Sequence, residues 1–113
     1  MRVIIAGARD FVDYDLLKKT METCGFVVTE VVWGGASGAD ALGKKWADEN
    51  GIPVKPFPAD WNRYKKFAGP MRNKQMAEYG EALVAFLAKD SRGTKDMVRQ
   101  AKKKGLPMVV VDI

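Results

Sequence analysis

The segment Val31-Val32-Trp33-Gly34-Gly35-Ala36-Ser37-Gly38-Ala39-Asp40 passes from a β-branched apolar run, through closely spaced glycines, into a stretch with helical spacing. The apolar run is short and unalternated, as a strand covered on both faces should be. Ala36 to Asn50, which follows it, places Ala39, Leu42, Trp46 and Ala47 on one side of a helix. A buried strand leading straight into an amphipathic helix is half of a βαβ unit.

The pattern repeats in both directions. Upstream lie an apolar run at Val3-Ile4-Ile5-Ala6 and a helical stretch from Tyr14 to Cys24 with Leu16, Leu17 and Met21 inward; Val27-Val28 reads as the start of the second strand. Downstream, Ile52-Pro53-Val54, Ala82 to Leu87 and Pro107 to Val111 read as strands. Pro70 to Tyr79, built around Met76, and Thr94 to Lys104, built around Met97, Val98 and Ala101, read as helices. Gly25, Gly51 and Gly105 follow three of the helices, where a left-handed C′ residue is wanted. The expected fold is α/β: a Rossmann-like doubly wound sheet of about five mainly parallel strands with helices on both faces. No linker, repeat or low-complexity segment divides the chain, so residues 1–113 read as a single domain.

Composition narrows the chemistry. Histidine is absent and Cys24 is the sole cysteine, which removes imidazole bases, Cys/His zinc sites and internal disulfides. No metal and no cofactor is implied, and Cys24 reads as a small hydrophobe. The N-terminal apolar run is too short for a signal peptide and no stretch reaches the ~20 residues of a membrane span, so a cytoplasmic protein without membrane contact is expected. The net charge of +5 is local, because Lys89, Arg92, Lys95, Arg99 and Lys102-Lys103-Lys104 outweigh Asp90 and Asp96 by that amount. Lys95, Arg99 and Lys102 form one polar helix face, and the last three lysines complement a helix C-terminus.

In an open parallel sheet, ligands bind beyond the carboxyl ends of the strands. After strand one, Gly7 allows close backbone approach and Arg9 offers a planar fork of donors. After strand two, Gly34, Gly35, Ser37, Gly38 and Asp40 bring amides to a helix N-terminus, a place for phosphate or ribose. Ser37-x-x-Asp40 also has the spacing of a capping box. After strand three, Trp61 and Tyr64 could stack on a base, with Asp60 accepting from hydroxyls or an exocyclic amine. Gly69-Pro70-Met71-Arg72-Asn73 opens a helix with Pro70 at its first position, leaving Arg72 in the first turn, where an anion or carboxylate would offset its unfavourable placement. Ser91, Gly93 and Thr94 after strand four suit a phosphate, or an ordinary N-cap.

Taken in order, Gly7-x-Arg9, Gly34-Gly35-x-x-Gly38-Ala39-Asp40, Phe57-Pro58-Ala59-Asp60-Trp61, Gly69-Pro70-x-Arg72-Asn73-x-x-Met76 and Gly93-Thr94 resemble the SLOG superfamily, the Smf/DprA and LOG Rossmann-like proteins. The resemblance covers nearly the whole chain and is nearest to the small single-domain YspA/YpsA-related branch. It implies nucleotide or nucleotide-derived ligands at the glycine-rich loops, and a homodimer or higher homo-oligomer. In LOG proteins an arginine and a glutamate hydrolyse the N-glycosidic bond of a nucleoside monophosphate. Arg72 matches that arginine, but the glutamate position falls on Met97, with Asp96 adjacent, and Lys89-Asp90-Ser91-Arg92 replaces the Pro-Gly-Gly-x run. Glycosidic cleavage wants a carboxylate, which methionine cannot supply.

The sequence therefore favours binding of a nucleotide-like small molecule, for sensing or sequestration. The alternative is a nucleotide N-glycosidic hydrolase using Arg72 with Asp40 or Asp60, or with Asp10. A third reading, less favoured, is DprA-like binding of single-stranded nucleic acid through the basic helix and Trp61.

Overall fold

A computed structural model describes all of residues 1–113. Five strands, β1 (Arg2–Gly7), β2 (Glu30–Trp33), β3 (Val54–Pro56), β4 (Ala82–Leu87) and β5 (Met108–Asp112), form one wholly parallel sheet in the order β3-β2-β1-β4-β5. The helices are α1 (Tyr14–Thr23), α2 (Ala39–Glu49), α3 (Trp61–Tyr64), α4 (Ala68–Tyr79) and α5 (Arg92–Lys103), with a 3₁₀ turn at Lys65–Phe67 before α4. No helix is long and apolar enough to cross a membrane.

Alternation along the central strands divides the core in two. Val3 and Ile5 of β1 and Val84 and Phe86 of β4 pack with Leu17 and Met21 of α1 and Trp46 and Ala47 of α2. Ile4 and Ala6, with Leu83 and Ala85, face Met76 and Ala77 of α4 and Met97 and Ala101 of α5. Both faces are thus covered, which is why the strands read as unbroken apolar runs. The chain winds outward from β1 to β3, crosses the sheet, and winds outward again through β4, so the order reverses between β1 and β4.

Helix ends follow the glycines. Gly51 and Gly105 have φ of +65° and +71°, and Ile52 and Leu106 donate from their amides to Ala47 O (2.8 Å) and Ala101 O (3.0 Å), closing a Schellman motif on α2 and on α5. Gly25, at φ +83°, follows α1 in the expected conformation.

Several boundaries differ from expectation. Val27 and Val28 precede β2: Val27 is 76% exposed and its carbonyl accepts from the Met1 amino group, so the pair binds the chain terminus instead of the sheet. Ile52 precedes β3 because its amide closes α2. Helix α2 starts at Ala39, not Ala36, and α4 starts at Ala68, not Pro70, because the 3₁₀ turn feeds directly into it. Pro70 occupies the third helical position, still within the turn whose amides lack helical acceptors. Helix α3 is an element the apolar periodicity does not show. Asp60 caps it, accepting from the Arg63 amide at 3.1 Å.

Candidate functional site

The reversal of strand order opens a cleft at the carboxyl ends of β1 and β4, and the cleft has two adjoining lobes. One, of about 420 Å³, lies among the β1–α1 loop, the start of α5 and Arg72, Asn73 and Met76 of α4. The second, of about 660 Å³, lies over the ends of β2 and β3. Arg9, Ala36 and Arg72 line both, so two guanidinium-bearing residues stand on the border between them.

Gly7 and Gly38 shape the cleft wall by letting backbones meet. A Cβ on Gly7 would lie 2.7 Å from both Phe86 O and Ala39 Cβ, and one on Gly38 would overlap the Ala8 carbonyl oxygen. The Ala8 amide donates to Phe86 O (3.1 Å) and the Ala39 amide to Ala8 O (3.2 Å), which ties β4, the β1–α1 loop and the head of α2 together. Gly7 lines the first lobe, whereas Gly38 lines neither and acts as the α2 N-cap with φ +70°.

The capping box is not formed. Ser37 instead donates its hydroxyl to Arg9 O at 3.3 Å, and Asp40 reaches back toward the Ala36 amide at 3.4 Å. The positive φ of Gly38 turns Ser37 away from the helix mouth, which explains the difference. Asp40 is 6% exposed, and burial pushes its carboxyl up to about 6 against the opposing pull of the Ala36 and Gly34 amides and of the Arg72 and Arg9 guanidiniums. No direct ion pair joins it to either arginine.

Arg72 sits in the second turn of α4, since the helix begins earlier than expected, and its restraint is a brace instead of a dipole effect. Its Nη1 donates to Gly34 O, and its Nε donates to Asn73 Oδ1 at 3.1 Å. Asn73, 4% exposed, donates from Nδ2 to Gly93 O (3.2 Å) and to Asp96 Oδ2 (2.9 Å), and Asp96 also pairs with Arg99. Burial also lowers the Arg72 pKa from its ordinary value, with Asp40 opposing and Arg9 adding to the shift.

Arg9 is exposed and forms no salt bridge with Asp10, so its fork remains available. At α5, Ser91 occupies the N-cap position without capping by its side chain, and Gly93 and Thr94 contribute amides from the unpaired first turn. All three line the first lobe. Gly34, Gly35, Ser37 and Trp61 line the second; Trp61 is 54% exposed. Asp60 lines neither lobe, its carboxylate being engaged as the α3 cap, so it is not brought to the other candidates. Met97, where the LOG glutamate would fall, is 1% exposed in the core beneath the sheet.

Sequence reasoning missed Trp33 and Phe57, which give the second lobe its aromatic character, and Asp90 and Arg92 as lining of the first, where Asp10, one of the candidate carboxylates, also lies. Each adjoins a glycine- or proline-bearing junction already identified at the sheet edge, and that adjacency is the signal that could have found it.

A family model described as the YspA, cpYpsA-related SLOG family matches residues 1–64. The Gene 61 protein of Mycobacterium phage D29 is 35% identical over 118 aligned residues, covering 96% of this chain and 94% of its own. Among solved structures, DNA processing protein A (DprA) from Streptococcus pneumoniae superposes with a TM-score of 0.79 at 16% identity, over 96% of this chain and 49% of that one. A predicted subunit of a tRNA methyltransferase from Methanocaldococcus jannaschii gives 0.52 at 11% identity, over 97% and 67%. At those identities the structural likeness is one of fold, and this chain spans about half of DprA.

Proposed function

The chain belongs to the YspA, cpYpsA-related SLOG family, and from that premise we propose that it binds a nucleotide or nucleotide-derived small molecule in the two-lobed cleft. The observation that carries this reading is the placing of Arg9 and Arg72 on the border between an aromatic lobe and a lobe rich in amides and hydroxyls. Cations at that border suit a phosphoryl group, and Trp33, Phe57 and Trp61 offer rings to a base. Gly7, Arg9, Gly34, Gly35, Arg72 and Trp61 would touch ligand, with Ser91, Gly93 and Thr94 on the far side. Asn73 and Ser37 would hold Arg72 and the Arg9 loop in place, and Gly38 would act through loop geometry.

Thermal denaturation with nucleoside mono-, di- and triphosphates tests this reading. A ligand at 100 times its dissociation constant adds about 2.7 kcal/mol to stability, and Arg72→Ala should abolish the shift. No stabilisation by any nucleotide would reject the reading. Light scattering on the same samples tests the homo-oligomer that the family resemblance implies.

Hydrolysis of an N-glycosidic bond is the second reading, and Asp40 is the observation in its favour: a buried carboxyl with an elevated pKa in the cleft that holds Arg72. Release of free base from nucleoside monophosphates, lost in Asp40→Asn and in Arg72→Ala, would support it. Nucleic-acid binding draws less support from α5, where Lys95 bonds to Lys89 O and Arg99 pairs with Asp96.

A further inference from the structure

The two edges of the sheet are built differently. At the β3 edge, Val31 N donates to Pro53 O (2.9 Å) and Phe57 N to Trp33 O (2.8 Å), so Lys55 bonds toward β2 while Val54 and Pro56 face outward. Pro56 has no N–H and the strand is three residues long, so this edge is blunted. At the β5 edge, Leu83 N donates to Pro107 O (3.0 Å) and Ile113 N to Leu87 O (2.9 Å). Val109 and Val111 therefore bond toward β4, and Met108, Val110 and Asp112 turn their N–H and C=O groups away from the sheet. No proline, lysine or glycine interrupts these five residues, and β5 is the outermost strand.

The side chains at this edge are apolar where the core does not require it. Val109 and Val111 pack against the core half under α1 and α2, and Met108 against the half under α4 and α5. Val110 points to the same side as Met108, but α5 packs over β4 and β1, which leaves Val110 38% exposed. Ile113 is 46% exposed just beyond the strand, and Pro107 just before it is exposed as well. An open row of donors and acceptors flanked by exposed apolar side chains is a template for another strand.

We propose that β5 is the interface between two copies of this chain, paired antiparallel about a two-fold axis at Val110 so that the two sheets run on as one. The outward backbone groups are their own complement in that register. Val110 of each copy opposes Val110 of the other, and Met108 opposes Asp112 at either end, giving three pairs that each exchange two main-chain hydrogen bonds. The exposed side chains match too, Val110 with Val110 and Ile113 with Pro107. Asp112 is carried to the strand start that follows Lys102-Lys103-Lys104 of the other copy, opposite in charge. Sliding the register one way brings in Leu106, whose N–H is already given to Ala101 O. Sliding it the other way draws the two Asp112 carboxylates together.

Sedimentation equilibrium over a micromolar to millimolar series should show the wild-type chain passing from monomer to dimer, and amide exchange at Val110 and Asp112 should slow over the same range. Val110→Pro removes an outward donor and no bond within the sheet, so it should weaken the dimer tenfold or more. Val110→Lys and Val110→Glu should each be monomeric, with melting temperatures near wild type because the side chain is partly exposed. Mixed in equal amounts, those two variants should dimerise at least tenfold more tightly than either alone. Phe67→Lys, at an exposed apolar residue elsewhere, should leave the dimer unchanged. A wild-type monomer throughout the series, or exchange at Val110 that ignores concentration, overturns the proposal. Dimers of wild-type strength in both Val110→Pro and Val110→Lys place the interface elsewhere and overturn it equally. A mixture that stays monomeric overturns the pairing of Val110 with its own copy.

Discussion

Asn73 and Asp96, on neighbouring helices, are joined by a 2.9 Å hydrogen bond from Nδ2 to Oδ2, and through it the orientation of Arg72 is fixed from α5. Asn73 is saturated: its Oδ1 takes the Arg72 Nε, and its Nδ2 serves both Gly93 O and Asp96. A side-chain amide supplies an acceptor and two donors, the set these three partners require.

Asn73→Ala removes all three bonds. With Gly93 O and Asp96 left short of a donor, the variant should lose about 1–3 kcal/mol of stability in urea unfolding. The freed guanidinium should also cost at least tenfold in ligand affinity. Asp96→Asn keeps the shape but can present the wrong end of its amide, so a smaller loss in both measurements is expected. Wild-type affinity in Asn73→Ala would show that Arg72 needs no brace.

Gly35 and Gly38 separate two reasons for a glycine. Both have positive φ, +79° and +70°, but a Cβ on Gly35 meets nothing within 4 Å, whereas one on Gly38 runs into the backbone of Ala8 and Arg9. Gly35→Ala should therefore cost only the left-handed backbone, about 1–2 kcal/mol. Gly38→Ala adds a clash that no side-chain rotation relieves and should cost more than about 4 kcal/mol. Equal melting temperatures for the two variants would contradict this.

The glycines also show what the sequence discloses and what it withholds. Apolar runs and glycine positions fix the strand count, the parallel sheet and the cleft edge, because both-face burial and left-handed C′ residues are local demands. Ser37 and Asp40 have the spacing of a capping box, but whether it forms depends on the backbone of Gly38, set by its contact with Ala8 across the sheet edge. The role of Asn73 depends on Gly93 and Asp96, 20 and 23 positions away, and no local pattern encodes that meeting. Asp60, expected among the ligand groups, caps α3 instead, and both roles ask for an exposed carboxylate before a turn.

Met97 offers a test of the departure from the LOG pattern. Its side chain is 1% exposed among Ile4, Met76 and Leu83, away from the cleft lining. Met97→Glu would bury a carboxyl without a partner, and a loss of more than about 3 kcal/mol is expected, with no release of base from nucleoside monophosphates. A folded variant that gained hydrolysis would show that this position reaches the cleft.

Asp40 makes stability depend on pH with a defined sign. Its carboxyl is raised from 3.8 to about 6 in the fold, chiefly by burial, so between those values the folded protein binds the proton more tightly than the unfolded chain. The neutral acid's favourable contribution is complete below about pH 4 and is lost as pH rises through 6; at 1.36 kcal/mol per unit the change is roughly 3 kcal/mol. Asp40→Asn cannot ionise, and its amide oxygen can still accept from Ala36. The variant should therefore be more stable than wild type by up to roughly 3 kcal/mol at pH 8, and the gain should vanish near pH 4. Urea unfolding at pH 4, 6 and 8 measures the difference directly. A gain that stayed constant over this range would mean that Asp40 titrates alike in the folded and unfolded chain, leaving the arginines and amides around it fully compensating its burial.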